Sequence, residues 1–287
     1  MMQNILVALL TAGWCTSTFA QTPDESTPTK RWKRVARLQR DDVRELSGIV
    51  ASRQYPGVFW AHGDSGSDPR LVALNLQGEV LAEVEIDGAP NTDWEDICAD
   101  DKGHLFIGDI GNNAGLFPAR YVYQVKEPDP RNPPEYPIAY ERRFRYVYPD
   151  KNHFDSEALF WHEGSLYVVA KLRSPQAPIY RLKPDENDHC QLDKVIELPA
   201  YFVTGAEVSP NGHTLVLGGY TGMRVYPIEG DGLAIDPESG RRIEFPQREG
   251  YEACCFDGED VVVASETGSL YLISRDDIER GTHFTLR

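Results

Sequence analysis

The sequence predicts an all-β fold built from repeated units of about four strands each. Three observations lead to this prediction. Short apolar or alternating runs bounded by Gly, Pro, Asn and Asp recur from Trp32 onward, and a helical period is almost missing. One phrase occurs five times: an oxygen-bearing residue, an apolar strand, a tight turn and a second apolar strand. The copies recur at intervals typical of four-stranded units arranged in a ring.

The five copies of this phrase begin 50, 62, 47 and 48 residues apart. The fourth copy is aligned by its Pro-Asn-Gly-His turn against the Asp-Lys-Gly-His turn of the second copy. The long interval contains a Pro-rich insertion after Lys126 and an outer strand that extends to Tyr148. The copies start at Glu45, Glu95, Glu157, Thr204 and Glu252. This pattern predicts a β-propeller of five four-stranded blades, or of six blades if the long unit contains a further one.

The two ends of the chain are predicted to complete one blade together. Only three strand-like runs follow Glu252, and the run from Trp32 to Leu38 precedes the first copy. The N-terminal strand therefore supplies the missing fourth strand and closes the ring. Residues 32–287 form one propeller domain in this interpretation.

The first 31 residues have a different composition. Residues 1–20 carry no charged side chain, Ile5–Leu10 form a short apolar run, and small residues precede Gln21. This pattern indicates a secretory signal peptide, although its basic segment is missing. Residues 21–31 are predicted to be a flexible leader. The apolar run is too short to span a membrane as a helix, so we expect an exported protein, periplasmic or secreted, without a transmembrane segment.

Charge and cysteine content narrow the classes of partner. A formal net charge of −16 repels phosphate backbones and anionic lipids, which argues against nucleic-acid binding. Four cysteines follow the predicted signal peptide, and none forms a zinc-type Cys-x-x-Cys pair. Their pairing is left open by the sequence, including a vicinal disulfide between Cys254 and Cys255. We favour buried free thiols for these two.

The residues that begin the repeats are candidate metal ligands. The first strand of each propeller blade lines the central channel, so equivalent residues of the five blades converge at one end of it, called the channel mouth below. Four converging carboxylates cannot all stay ionised without protons or a cation. Oxygen ligands without histidine favour calcium over zinc. The predicted ligands of Ca²⁺ are Glu45, Glu95, Glu157, Thr204 and Glu252.

The ends of the second strands are predicted to reach the same mouth. They contribute Asp64, Asp109, Lys171, Tyr220 and Glu266. The predicted catalytic residues are Asp64, Asp109, Lys171 and Glu266. The acids would orient a water molecule, and the Lys171 ammonium would offset the negative charge of the transition state. The predicted substrate-binding residues are Asn112, Asn113, Arg173 and Tyr220.

The arrangement resembles that of the five-bladed calcium-activated nucleotidases, the secreted apyrases. That family places one Glu or Ser per blade around a central calcium ion. The matching positions are Glu45-Leu-Ser, Glu95, Glu157-Ala, Thr204 and Tyr251-Glu252. The phrases Asp-Trp-Glu-Asp at 93–96 and Gly-Asp-Ile-Gly-Asn-Asn at 108–113 are also similar to those of exported bacterial propellers without an assigned activity. The first resemblance implies a calcium-dependent enzyme acting on phosphates.

Three functions are compatible with these residues. The first is a metal-dependent hydrolase of phosphate esters or anhydrides, in which the cation clamps the phosphates. The second is a calcium-stabilised propeller without catalytic activity that presents its face to a glycan or protein, since fold alone does not imply chemistry. The third is a glycosidase, which requires two carboxyl groups about 5–10 Å apart. In each case we expect the ligand at the channel face.

Overall fold

The computed structural model describes residues 33–39, 42–149, 154–245 and 249–283. The signal peptide and leader predicted for residues 1–31 lie outside these described residues. Besides strands, the described chain contains a 3-10 helix, Pro237–Ser239, and a short helix α1, Arg275–Glu279. The strands are β1 (Lys33–Arg37), β2 (Leu46–Ala51), β3 (Phe59–Gly63), β4 (Arg70–Leu74), β5 (Val80–Asp87), β6 (Trp94–Ala99), β7 (His104–Asp109), β8 (Arg120–Lys126), β9 (Ile138–Ala139), β10 (Arg142–Tyr146), β11 (Asp155–His162), β12 (Ser165–Lys171), β13 (Ala177–Pro184), β14 (His189–Leu198), β15 (Val203–Val208), β16 (Thr214–Gly219), β17 (Gly222–Pro227), β18 (Arg241–Glu244), β19 (Tyr251–Asp257), β20 (Asp260–Ser265), β21 (Ser269–Ile273) and β22 (Thr282–His283).

The strands of the described residues pair into five antiparallel four-stranded meanders. The first four meanders are β2-β3-β4-β5, β6-β7-β8-β10, β11-β12-β13-β14 and β15-β16-β17-β18. The fifth is β19-β20-β21-β1, so the N-terminal strand supplies its outer edge. The first strand of each meander packs against the first strand of the next, and β19 packs against β2. The five inner strands therefore form a closed ring, and the propeller prediction is confirmed.

The hydrophobic core is divided among the spaces between neighbouring meanders. Five clusters of buried side chains fill these spaces, one for each neighbouring pair in the described chain. Trp60 of the first meander and Trp94 of the second are both fully buried in the same cluster. Inner strands such as β6 are buried on both faces, whereas the outer strand β5 alternates exposed and buried residues. This difference explains why the sequence shows both continuous apolar runs and alternating ones.

The long second repeat contains an excursion between strands. After β8 the chain passes through the Pro-rich segment, and β9 pairs in parallel with β5 of the first meander before β10 returns to β8. At the outer edges β10 also pairs in parallel with β14 of the third meander. The insertion therefore ties neighbouring meanders together at their rims.

Two further sequence expectations can be compared with the structure. Among the described residues the cysteines Cys98, Cys190, Cys254 and Cys255 are all buried and unpaired. This agrees with the buried free thiols predicted for Cys254 and Cys255. In the described part of the chain, no helix is long and apolar enough to cross a membrane.

Buried acids on the channel axis hold the inner strands together below the mouth. Asp96 is fully buried, and its carboxylate accepts backbone N–H groups of Ile97 at 2.9 Å, Leu159 at 2.8 Å and Ala206 at 3.3 Å. These three donors lie on the inner strands of the second, third and fourth meanders. Glu207 accepts the N–H of Phe256 in the fifth meander. Each inner strand is hydrogen-bonded to a neighbouring strand on one side only. The carboxylates of Asp96 and Glu207 therefore accept backbone N–H groups on the other, unpaired edge.

We expect Asp96→Ala to lower the free energy of unfolding by roughly 2–4 kcal/mol, because three buried backbone donors lose their acceptor. Denaturant unfolding followed by tryptophan fluorescence measures this change. Asp101→Ala, at an exposed turn position, is the matched control and should change stability by less than about 0.5 kcal/mol. An Asp96→Ala variant as stable as the control would show that these hydrogen bonds do not hold the ring.

Candidate metal centre

The strand registers identify one equivalent residue in each inner strand. All five inner strands show a register shift of one residue near their start, as in a β-bulge. The residue skipped by the pairing is Ser47, Glu95, Glu157, Thr204 or Glu252. Four of the five predicted ring positions are thus equivalent. The first meander is the exception, because Ser47 takes the place predicted for Glu45.

The backbone explains why Glu45 is not equivalent to the other acids. Glu45 lies two residues before the shift and has a left-handed backbone, with φ of 49°. Its carboxylate lies 3.7 Å from the Arg44 guanidinium, and both side chains are partly exposed. Phe202 and Gly250 occupy the same position in the fourth and fifth meanders and are also left-handed. Their shared conformation marks the entry to the inner strand rather than the ring.

Two overlapping carboxylate groups lie at the channel mouth. Oxygens of Asp64, Asp93 and Glu95 lie within 4.8 Å of one another, and so do oxygens of Glu95, Asp155 and Glu157. Glu95 belongs to both groups. Asp93 and Asp155 stand two residues before Glu95 and Glu157 and are not left-handed, unlike Glu45. They come from the repeated pattern Asp-x-Glu, which occurs at 93–95 and 155–157.

Hydrogen bonds fix the orientation of these carboxylates. The Ser47 hydroxyl donates to Glu95 Oε2 at 3.2 Å. The N–H of Asn112 donates to Asp155 Oδ1 at 2.7 Å, and the N–H of Ser65 donates to Asp64. The polar contacts cross from one meander to the next, so the site depends on the closed ring.

Asp109 was predicted to reach the channel mouth, but its side chain points elsewhere. In each meander one residue of the second strand lies opposite the register shift, and the residue that follows it lies at or just beyond the end of the strand. These following residues are Asp64, Ile110, Lys171, Tyr220 and Glu266. Ile110 is therefore the equivalent of the other second-strand ends. Asp109 is buried, and its Oδ1 accepts the N–H of Asp93 at 2.7 Å. The side chain therefore supports Asp93 and is not presented to the channel. A one-residue difference in register separates these two orientations.

Lys171 is the cation in contact with the carboxylate groups. Its ammonium contacts Glu157, lies 3.7 Å from Asp155 Oδ2 and donates to the Tyr220 hydroxyl at 2.8 Å. Although burial lowers the pKa of Lys171, the Glu157 carboxylate raises it above its usual range. The predicted residues Lys171, Glu157 and Tyr220 are thus brought together.

The remaining predicted residues lie around this centre. The Asn113 amide contacts Glu157 Oε1 at 3.5 Å, whereas the Asn112 side chain is buried and its Oδ1 accepts the N–H of Phe117. The Thr204 hydroxyl donates to the carbonyl of Tyr251 at 3.0 Å, which joins the fourth and fifth meanders. Arg173 and Glu266 are exposed, and neither belongs to the two carboxylate groups. Glu252 is half-buried and lies outside both carboxylate groups.

A buried arginine shapes the loop that covers the carboxylates. Arg120 is almost fully buried, and its guanidinium donates to the carbonyls of Ile110 at 3.0 Å, Phe117 at 2.6 Å and Phe154 at 2.7 Å. These bonds hold the loop after β7 against the third meander. Gly111 of this loop donates its N–H to the Asp93 carbonyl at 3.1 Å.

Burial, and after it the charges of neighbouring acids, raises the pKa values of these carboxyl groups. Burial, and then the charges of Asp64 and Asp155, raise the pKa of Asp93 to about 6. Burial, and then the neighbouring Glu157, raise the pKa of Glu95 well above its usual range. Burial raises the pKa of Glu157 to about 8, although the Lys171 ammonium acts in the opposite direction. Burial also raises the pKa of Glu252 to about 7.

The residues present fit a hard divalent cation. All donors in both groups are carboxylate oxygens, and the hydroxyls of Ser47 and Thr204 lie at equivalent positions of the ring. Glu157 Oε2 is buried without a hydrogen-bond partner among the described residues, so it is available as a ligand atom. A Cβ at Gly111 would lie 2.3 Å from Glu95 Oε1 and 2.4 Å from Asp93 Oδ2, which shows how closely the backbone approaches the carboxylates.

The sequence contained signals for the residues that were missed. Asp93 and Asp155 are marked by an Asp-x-Glu pattern that ends at a ring residue, Glu95 or Glu157. Ser47-Gly48 matches Thr204-Gly205, and this hydroxyl-glycine pair would have placed Ser47 rather than Glu45 in the ring. No comparable signal marks Gly111, whose role depends on the path of a loop.

Comparisons with known proteins identify the fold of the chain but not a family. No protein-family model matches the chain, and no curated protein matches it in sequence. The chain is similar to the PQQ-bound aldose sugar dehydrogenase of Streptomyces coelicolor, with a TM-score of 0.50 and 10% identity over 84% of this chain and 95% of that one. It is also similar to a candidate gluconolactonase, with a TM-score of 0.49 and 16% identity over 85% and 91%. At 10% identity the first likeness shows the fold alone, which is that of a β-propeller.

The raised pKa values predict that stability without divalent cations falls as the pH rises. A carboxyl whose pKa is raised by folding stabilises the folded state below its ordinary pKa, near 4, and this contribution is lost as the pH rises through 6 to 8. We expect the melting temperature in EDTA to fall by at least about 5 °C between pH 5 and pH 8. The double variant Glu157→Gln/Glu252→Gln should show a smaller fall. An equal fall in both proteins would assign the pH dependence to other groups.

Gly111→Ala tests the close approach of the loop. Its Cβ would displace the carboxylate ends of Glu95 and Asp93, which are flexible, so we expect little loss of stability. Because the displaced oxygens belong to one carboxylate group, calcium affinity measured by titration calorimetry should fall at least tenfold. Gly115→Ala is not a suitable control because its φ is 68°, so Ala114→Ser in the same loop serves instead. Unchanged calcium affinity in Gly111→Ala would remove Gly111 from the site.

Proposed function

We propose that the protein is an exported, calcium-binding propeller and a metal-dependent hydrolase of phosphate esters or anhydrides. The observation that carries the proposal is the pair of overlapping carboxylate groups, Asp64–Asp93–Glu95 and Glu95–Asp155–Glu157. They lie near the starts of inner strands that share a register shift of one residue, at Ser47, Glu95, Glu157, Thr204 and Glu252. With Ser47 in the ring, each meander contributes one Glu, Ser or Thr. This set is closer to the one Glu or Ser per blade of calcium-activated nucleotidases than a ring that includes Glu45.

Calcium is proposed because of the donor set. Carboxylate and hydroxyl oxygens from several strands suit an ion that accepts six to eight oxygens. The excess of acids points the same way, because among the described residues the five carboxylates of the two groups are paired with one ammonium, that of Lys171. When bound, calcium would neutralise the phosphate oxygens and the negative charge that develops during hydrolysis.

The chain's own residues provide the remaining functions of a hydrolase. Lys171 holds its ammonium in place through Glu157 and Tyr220, where it can donate to an anionic oxygen of the substrate. Glu252 lies next to this centre with a pKa of about 7, so near neutral pH it can accept a proton from an attacking water. Asn113 is exposed and contacts Glu157, so it can donate to the substrate at the rim. Asp109 supports Asp93 in this scheme rather than acting on the substrate.

A binding protein without catalytic activity is the second candidate, because large apolar side chains are exposed near the mouth. Tyr201 and Phe202 precede the ring residue Thr204 and are 52% and 38% exposed. Leu116 and Phe117, on the loop held by Arg120, are 75% and 40% exposed. Such side chains favour contact with a glycan, a protein or the apolar part of a small molecule. A glycosidase is less well supported, because oxygens of Glu95 and Glu157 lie within 4.8 Å, closer than the usual carboxyl separation.

Calcium should raise the melting temperature of the purified protein. At a concentration one hundred times the Kd, ligand binding adds about 2.7 kcal/mol, which corresponds to roughly 5–10 °C for a domain of this size. Glu95→Gln should abolish the shift because Glu95 belongs to both carboxylate groups. Glu186→Gln, which removes an exposed acid, should retain it. A wild-type protein without any shift at millimolar calcium would overturn the cation site.

Turnover should be tested separately on nucleotides, pyrophosphate and aryl phosphate esters, with calcium or with EDTA. The hydrolase proposal expects calcium-dependent release of phosphate, and Lys171→Met should reduce kcat at least a hundredfold. A calcium-dependent melting shift without turnover on any of these substrates would favour the binding protein.

A further inference from the structure

The two carboxylate groups differ in their contact with a built-in cation. The Glu95–Asp155–Glu157 group contains the Lys171 ammonium, which contacts Glu157 and lies 3.7 Å from Asp155. In the Asp64–Asp93–Glu95 group, none of the ion pairs found in the described residues involves a member of the group. The two groups are therefore equal in ligand chemistry, and the Lys171 ammonium is in contact with the second group while its charge acts on Asp64 of the first from a greater distance.

The position of the ammonium is fixed by several contacts. Besides Glu157 and Asp155, the Nζ atom of Lys171 donates to the Tyr220 hydroxyl at 2.8 Å. The Lys171 side chain is only 10% exposed and the Glu157 side chain 4%. A divalent ion placed among Glu95, Asp155 and Glu157 would lie within a few ångströms of this ammonium, where like charges repel strongly in a partly buried site.

Glu157 nevertheless retains an unused ligand atom. One carboxylate oxygen contacts Lys171 and Asn113, and the other, Oε2, is buried without a partner among the described residues. Buried carboxylate oxygens in proteins normally have a hydrogen-bond donor or a cation as partner. The group therefore has the donors of a cation site, and Lys171 occupies part of it.

We infer that the wild-type protein binds one divalent cation, at Asp64, Asp93 and Glu95, and that Lys171 closes the Glu95–Asp155–Glu157 group to a second. Removing the ammonium opens the second group. Lys171 thus sets the number of ions at the channel mouth. The inference rests on the proposed cation site and is independent of the proposed hydrolysis.

Equilibrium dialysis and titration calorimetry with calcium alone test the number of sites. We expect one calcium per chain in the wild-type protein, two in Lys171→Met and one in Lys171→Arg, which keeps a positive charge. Lys126→Met, which removes an exposed lysine, is the matched control and should bind one. Circular dichroism establishes that each variant is folded, and Lys171→Gln replaces Lys171→Met if the latter does not fold.

Two carboxyl variants test which group binds the ion in the wild-type protein. Asp64→Asn should weaken calcium binding at least tenfold, whereas Asp155→Asn should change the affinity less than threefold, because asparagine keeps an Oδ1 to accept the N–H of Asn112. Two ions in the wild-type protein, one ion in Lys171→Met, or a larger effect of Asp155→Asn than of Asp64→Asn would each overturn the inference. A wild-type protein that binds no calcium would overturn the proposed cation site as well.

Discussion

The free edge of each inner strand is the constraint on which the rest of the structure depends. An inner strand is hydrogen-bonded to its own meander on one side and faces the channel on the other. Backbone groups on that side need partners, because unsatisfied buried donors are costly. Asp96 and Glu207, both buried, provide them. The ring is therefore stabilised by carboxylates as well as by the apolar clusters between the meanders.

The same constraint produces the candidate metal centre. Near the mouth every inner strand departs from regular pairing by one residue, and this shift turns a polar side chain toward the axis. Burial of these acids, and then their mutual repulsion, raises the pKa of Glu95 well above its usual range. Natural proteins retain such an arrangement where the charges have a use. Lys171 relieves part of the repulsion, and among the described residues Asp64 and Asp93 have no direct ion pair of this kind.

Much of the fold could be predicted from the sequence, because strand runs and their recurrence follow from burial alone. Closure of the ring by residues 33–37 was predictable for the same reason: the last repeat lacked a strand. The site was predictable in part. The repeat predicts Glu95 and Glu157 correctly as ring positions, whereas it predicts Glu45 where the structure has Ser47, because the left-handed backbone at Glu45 leaves no mark on its residue type. The prediction for Asp109 is wrong because Asp109 pairs with Trp94, and the spacing of the turns does not specify this register.

The pairing of β1 with β21 also has a consequence for the order of folding. Lys33 pairs with Leu272, so β1 finds its partner only after the residues of four complete meanders have been synthesised. Closing such a long loop is slow relative to forming the local hairpins of a meander. Four meanders can form from neighbouring strands before this event, whereas the fifth acquires its outer strand only through it. The joint between the two ends of the described chain is therefore the part of the fold that depends most on long-range pairing.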